Sequence, residues 1–109
     1  MRNLDTIELH DALIENLSID FAAGSAAIHI AYYSGSDSRE RVRGTLLFED
    51  IEAISQIVGI ARLRQNSVAG NISYWVPGAS GEATYIYLAD GCIAITARTV
   101  RLDERDSQS

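Results

Sequence analysis

His10 and Asp11 are the only adjacent imidazole–carboxylate pair in the chain. General acid–base catalysis is the chemistry such a pair would serve. The spacing argues against it: neighbours on a strand project to opposite faces, so the two side chains do not form a dyad there. A turn gives them a plainer use, with Asp11 capping local backbone and His10 bonding a carbonyl. Acid–base work would need a third polar partner, and none is identifiable. His29 is far from His10, and Cys92 is the one cysteine, so no zinc-ligand spacing exists. Gly78-Ala-Ser-Gly81 lacks the Lys-Ser/Thr and the following helix of a phosphate loop. No serine lies in a nucleophile-elbow pattern. No catalytic residue, metal or cofactor is expected, and the enzyme reading is the weaker one.

Binding is the better prospect. Trp75, Tyr85 and Tyr87 fall in alternating segments near the end of the chain. Asp90-Gly91 between alternating apolar residues signals a hairpin. Its expected register pairs Leu88 with Ile93, Ile86 with Ile95 and Tyr87 with Ala94. Pairing Ile72 with Leu88 and Tyr74 with Ile86 then sets Trp75 opposite Tyr85 and diagonal to Tyr87. Burying Trp75 would contribute roughly 4–6 kcal/mol before entropy costs, so something should cover it. Three covers stay open: the protein's own core, an oligomer or partner interface, and a small-molecule pocket. Arg98, His10, Asp11 and Arg62 complete the binding candidates.

The bulk composition limits the partners. A chain of 109 residues with 47% hydrophobic content is one ordinary domain. A net charge of −6 disfavours nucleic acid. All nine basic residues are arginine. The first residues lack an apolar signal core, and no apolar run is long enough to span a membrane. With one cysteine and no sign of an oxidising compartment, a cytoplasmic protein without a membrane partner is expected.

The elements that would position these residues follow from periodicity. Residues 13–21 alternate, with Leu13, Leu17, Ile19 and Phe21 on one side. Residues 26–33 alternate as well. A loop over Ala22–Ser25 pairs Phe21 with Ala26, Ile19 with Ile28 and Leu17 with Ile30, and gives Gly24 a place for positive φ. A Ser- and Gly-rich loop over 34–40 precedes a third strand at about 41–48. From residue 50 the period changes. Ile51, Ile54, Ile57, Val58 and Ala61 recur every three or four residues, with acids at the start and Arg62 and Arg64 at the end, so a helix is predicted over 50–63. A loop follows to Gly70. After Ala97 the apolar phase shifts, which predicts a bulge or strand bend near Arg98-Thr99. The tail 103–109 is polar and expected to fray.

Leu9-His10-Asp11-Ala12-Leu13-Ile14, Leu17-Ser18-Ile19-Asp20 and Phe48-Glu49-Asp50-Ile51 resemble a group of small bacterial orphan domains. Asn71-Ile72-Ser73-Tyr74-Trp75 and Ala89-Asp90-Gly91-Cys92-Ile93 are similar to the same group. The resemblance spans most of the chain but rests on strand patterning. Some members are taken to be immunity proteins of toxin systems, which implies a protein partner and no catalytic residues.

The resulting expectation is an α+β domain over 1–102, mostly antiparallel β. It comprises two β-meanders of about six strands packed together and one helix near 50–63. Its expected role is non-enzymatic protein interaction, immunity-like, with homodimerisation covering the aromatic face. The alternative is a small-ligand-binding domain or small enzyme using an aromatic-lined pocket.

Overall fold

Alternation governs nearly the whole chain, and the alternating segments become strands. The computed structural model describes Leu4 and residues 7–33, 40–65, 71–89 and 91–105, with the backbone alone at Arg62, Leu63, Gln65 and Arg105. The strands are β1 (Leu13–Asp20), β2 (Ser25–Tyr32), β3 (Val42–Val58), β4 (Ile72–Val76), β5 (Ala83–Leu88) and β6 (Gly91–Arg105). Among the described residues, the one α-helix is α1, Ile60–Gln65. Most of the loops expected at 34–40 and 64–70, the turn residue Asp90 and residues 106–109 lie outside the described residues. Among the described residues, no helix is long and apolar enough to cross a membrane.

All pairings are antiparallel, and the six strands form one sheet in the order β1-β2-β3-β6-β5-β4. This corrects the expected α+β class to a nearly all-β fold. The two meanders exist as halves of one sheet, and their apolar residues share one core. The halves join edge to edge through the long ladder between β3 and β6, so both apolar faces lie on the same, inner side.

The helix expected over 50–63 is the main correction. β3 runs as strand through Val58, and only Ile60–Gln65 is helical. A bulge misled the period. Ile51 pairs with Ala97 and Ala53 with Thr96, so Glu52 is an extra residue. The bulge turns an i,i+2 spacing into the i,i+3 spacing of Ile51 and Ile54. Gln56, opposite Ile93, then occupies the inner position between Ile54 and Val58. The result imitates a helical stripe. The β-branched side chains of Ile51, Ile54, Ile57 and Val58 favour the strand.

Two registers differ from expectation by two residues, a slip that preserves parity, but a bulge at Glu15 turns Ile14 inward and Leu13 outward, the reverse of the faces expected for them. Ile19 pairs with Ala26 and Leu17 with Ile28, and Ile86 pairs with Ile93 and Leu88 with Gly91. The first slip has a local cause. The hairpin closes over Phe21–Gly24, where Asp20 Oδ1 accepts from Ala23 N–H at 3.0 Å and Asp20 O accepts from Gly24 N–H at 2.9 Å. Gly24 has the expected positive φ, 68°. Phe21 thereby leaves the strand and is 89% exposed. Across Arg98-Thr99 the ladder keeps its register while Ala97 and Val100 both face the core, so the phase changes there without a register shift, and the bulge of this ladder lies at Glu52. Asp103, Glu104 and Arg105, read as tail, end β6 opposite Thr45, Gly44 and Arg43.

The core lies on the inner side of the curled sheet, around Ile28, Ile30, Leu46, Phe48, Ile86, Ile93 and Ile95. Gly91 allows β6 to approach β3. Its φ is 156°, and a Cβ there would lie 2.1 Å from Ile57 O. A strap over residues 7–12 adds Ile7, Leu9 and Ala12 to the core. It also ties the two sheet edges together. Ala12 O accepts from Asn71 N–H at 2.9 Å and Ile72 N–H at 3.0 Å, and Ile72 O accepts from Asp11 N–H at 2.9 Å. The buried Asn71 side chain accepts from Ile14 N–H at 2.9 Å.

Trp75 belongs to this core. Ile72 pairs with Leu88 as expected, but Ser73 is an extra residue, so Tyr74 meets Tyr87 and Trp75 meets Ile86. The bulge turns Trp75 inward, leaving it 7% exposed, and its Nε1–H donates to Ile7 O at 2.9 Å. The position expected for it opposite Tyr85 is taken by Val76.

Two stability predictions follow from this packing. Trp75→Ala is expected to lower unfolding free energy by about 3–5 kcal/mol in urea titration, the loss typical of a deleted core aromatic. Asn71→Leu strands the Ile14 N–H and is expected to cost about 1–3 kcal/mol. Hydrogen exchange at Ile14 should accelerate in that variant.

Candidate functional site: an exposed tyrosine face

The bulge that buries Trp75 sends its neighbours outward. Tyr74 and Val76 join Tyr85 and Tyr87 on the outer side of the sheet. The pairings define rows across four strands: Tyr74, Tyr87, Cys92 and Ile57 in one, and Val76, Tyr85, Ala94 and Ser55 in the next. No position in either row carries a charge. Tyr74 is 51% exposed, Tyr85 40% and Ile57 75%.

The tyrosines are stacked. Tyr74 and Tyr87 have ring centroids 4.6 Å apart at 22°, and Tyr85 and Tyr87 lie 6.0 Å apart at 16°. Such pairs contribute about 0.5–1.5 kcal/mol beyond their burial. Stacking also fixes side chains that have little rotamer freedom to lose on binding. Desolvation, then the neighbouring Tyr74, Cys92 and Tyr85, hold the Tyr87 phenol above its ordinary value, so it stays a neutral donor and acceptor.

The remaining sequence candidates are dispersed. Arg98 is exposed beside a polar hollow with Asp50, Glu52 and Gly81. The side chain of Arg62 lies outside the described residues. His10 and Asp11 sit exposed on the strap beside the start of β4. Asp11 has φ 67°, so the backbone turns there. His10 Nδ1–H donates to Ser73 O at 2.8 Å, and its Nε2 lies 3.5 Å from Asp11 Oδ2. The imidazole therefore clamps the carbonyl of the β4 bulge residue. Among the described residues, no group of three or more His, Cys, Asp or Glu is placed to hold a metal ion.

Tyr85 and Tyr87 were legible as face residues from their shared parity beside the hairpin. Tyr74, Val76 and Ile57 were missed. Tyr74 and Val76 depend on the Ser73 bulge, and Ile57 was read into a helix. Its signal was the β-branched composition around it. Comparison with protein-family models, curated proteins and solved structures returns no match.

His10 makes the strap sensitive to pH. The bond to Ser73 O and then the Asp11 carboxylate raise its pKa above 6.5. A raised folded-state pKa stabilises the fold below about pH 6.5, and that contribution is lost as pH rises through the folded value. The stability gap between wild type and His10→Ala is therefore expected to be larger at about pH 5.5 than at about pH 8.5. Paired urea titrations at the two pH values measure it.

Proposed function

We propose that this protein is a non-enzymatic, immunity-like binding protein whose outer tyrosine face docks on a partner protein. The observation that carries the proposal is the exposed Tyr74–Tyr87–Tyr85 stack, flanked by Val76 and Ile57 on rows without charge. Large apolar surface patches on soluble proteins mark interaction sites. Aromatic anchors are where interface energy concentrates. The net charge of −6 would steer a basic partner such as a toxin towards this protein. The resemblance to orphan domains with immunity-like members points to the same class, and the proposed setting is cytoplasmic.

A second copy of the chain is the competing occupant of the same face, because two-fold pairing is the commonest way to cover such a patch. Light scattering at micromolar concentration separates the two uses. A monomer leaves the face for another protein, and a dimer that dissociates in Tyr85→Ala assigns it to self-association.

Capture from the native host with wild type and with a Tyr74→Ala/Tyr85→Ala double variant tests the partner reading. Wild type is expected to retain a distinct protein that the variant loses. The purified pair should weaken by about 2 kcal/mol or more, roughly thirtyfold, in the variant. Equal capture by both proteins would exclude the tyrosine face.

A further inference from the structure

Two lengths of strand edge face each other across an apolar cleft. β1 is one edge of the sheet. β3 pairs with β2 only as far as Glu49 and beyond it pairs with β6 alone. Among the described residues, positions 52–58 therefore present a second free edge. Hydrogen bonds close the cleft at its two ends, and Asn71, which precedes β4, lines the second of them. Ile51 N–H donates to Gly24 O at 3.0 Å at one end, and Ala12 and Ile14 bond Asn71 at the other. Between the ties lies a cleft of about 910 Å³ lined by Leu13 and Leu17 of β1, Val58 of β3, Ile60 and Arg64 of α1, and the buried Ile93.

The inner face is incompletely covered along this cleft. Ile28, Ile30, Ile93 and Ile95 are at most 2% exposed, whereas Leu17, Ile54 and Val58 on the same side are only half-buried. The backbone decides what fits. An acyl chain would cover edge N–H and C=O groups without bonding them, and each buried, unpaired group is costly. An extended peptide would pair with those groups and place alternate side chains on the apolar floor. Asn71 already does this at one position, where its Oδ1 accepts the Ile14 N–H. Charge adds a selector. Arg64 stands at the cleft with no ion pair among the described residues, while Glu15 beside it is engaged by Arg43 at 3.5 Å.

We propose that the cleft between β1 and the second half of β3 binds an extended peptide segment by strand addition, with apolar side chains inward and an acidic side chain at Arg64. The slot takes the inner side and edge of the second half of β3, where Gln56 and Val58 line the cleft, whereas the tyrosine face lies on the outer side with Ser55 and Ile57, so the slot stands whether or not that face binds a partner.

The probe is a displayed library of linear peptides of roughly ten residues, selected on the full chain. Enriched peptides are then synthesised and titrated into labelled protein by NMR. The expected result is enrichment of sequences that alternate apolar and polar residues and carry one Asp or Glu. Amide shifts and slowed exchange should fall on 14–18 and 52–58. Arg64→Glu is expected to weaken the acidic peptides about twofold to fivefold and to favour versions with Lys in place of the acid. Enrichment without alternation, or shifts confined to β4 and β5 around Tyr74, Tyr85 and Tyr87, would overturn the proposal. So would dodecanoate occupying the cleft where no peptide does, which would assign it to a small amphiphile.

Discussion

A single six-stranded sheet has an inner apolar face and two open edges, β1 and β4, and the joint at Asn71 brings those edges together at one corner. Two N–H groups, from Asn71 and Ile72, converge on Ala12 O, and Asp11 N–H returns to Ile72 O. The Asn71 amide then caps Ile14 on the neighbouring strand. These bonds hold the strap beside β4, so the sheet curls until its outer strands meet at one corner. Only then do Ile7, Leu9 and Ala12 share a core with Ile28, Phe48, Ile86 and Ile93. Buried backbone groups must be paired, and here a side-chain amide completes the pairing where two strands converge.

The bulges beside that joint sort the aromatic residues. Without the extra residue at Ser73, strict alternation from Ile72 would place Tyr74 inside and Trp75 outside. With it, Trp75 reaches Ile7 O, and Tyr74 stacks on Tyr87. The His10 bond to Ser73 O engages the same backbone irregularity from the strap. One irregularity thus supports the core and builds the outer face.

Strand existence was legible because side-chain period survives register error. Leu17, Ile19, Ile28 and Ile30 face inward whether the first hairpin closes over Phe21 or one position later, since a two-residue slip preserves parity. The closing residues were less legible, because Asp20 and Gly24 set the turn through bonds that propensity alone does not rank. Bulges were the least legible feature. Glu52 and Ser73 are ordinary residues in sequence, and nothing in their type requires an extra position. At Glu52 the consequence was a false helix, since a bulge followed by an inward Gln56 reproduces helical spacing. At Ser73 it was an inverted aromatic face, which put Trp75 among the surface candidates and left out Tyr74.

The length of β3 links the core to the exposed features. Its first half, up to Glu49, is covered on both sides by β2 and β6, and Leu46 and Phe48 are fully buried there. At Asp50, whose φ is 54°, and at the Glu52 bulge the strand leaves β2 and continues with β6 alone. That departure opens the cleft on one side and carries Ile57 to the tyrosine face on the other. Inner positions of this second half, Ile54 and Val58, pack against the core cluster, while outer positions such as Ser55 and Ile57 do not contribute to it. Alternation therefore separates the residues that hold the sheet together from those that can meet a partner. Substitution on the outer rows leaves the inner ladder of Ile54, Ile95 and Thr84 in place.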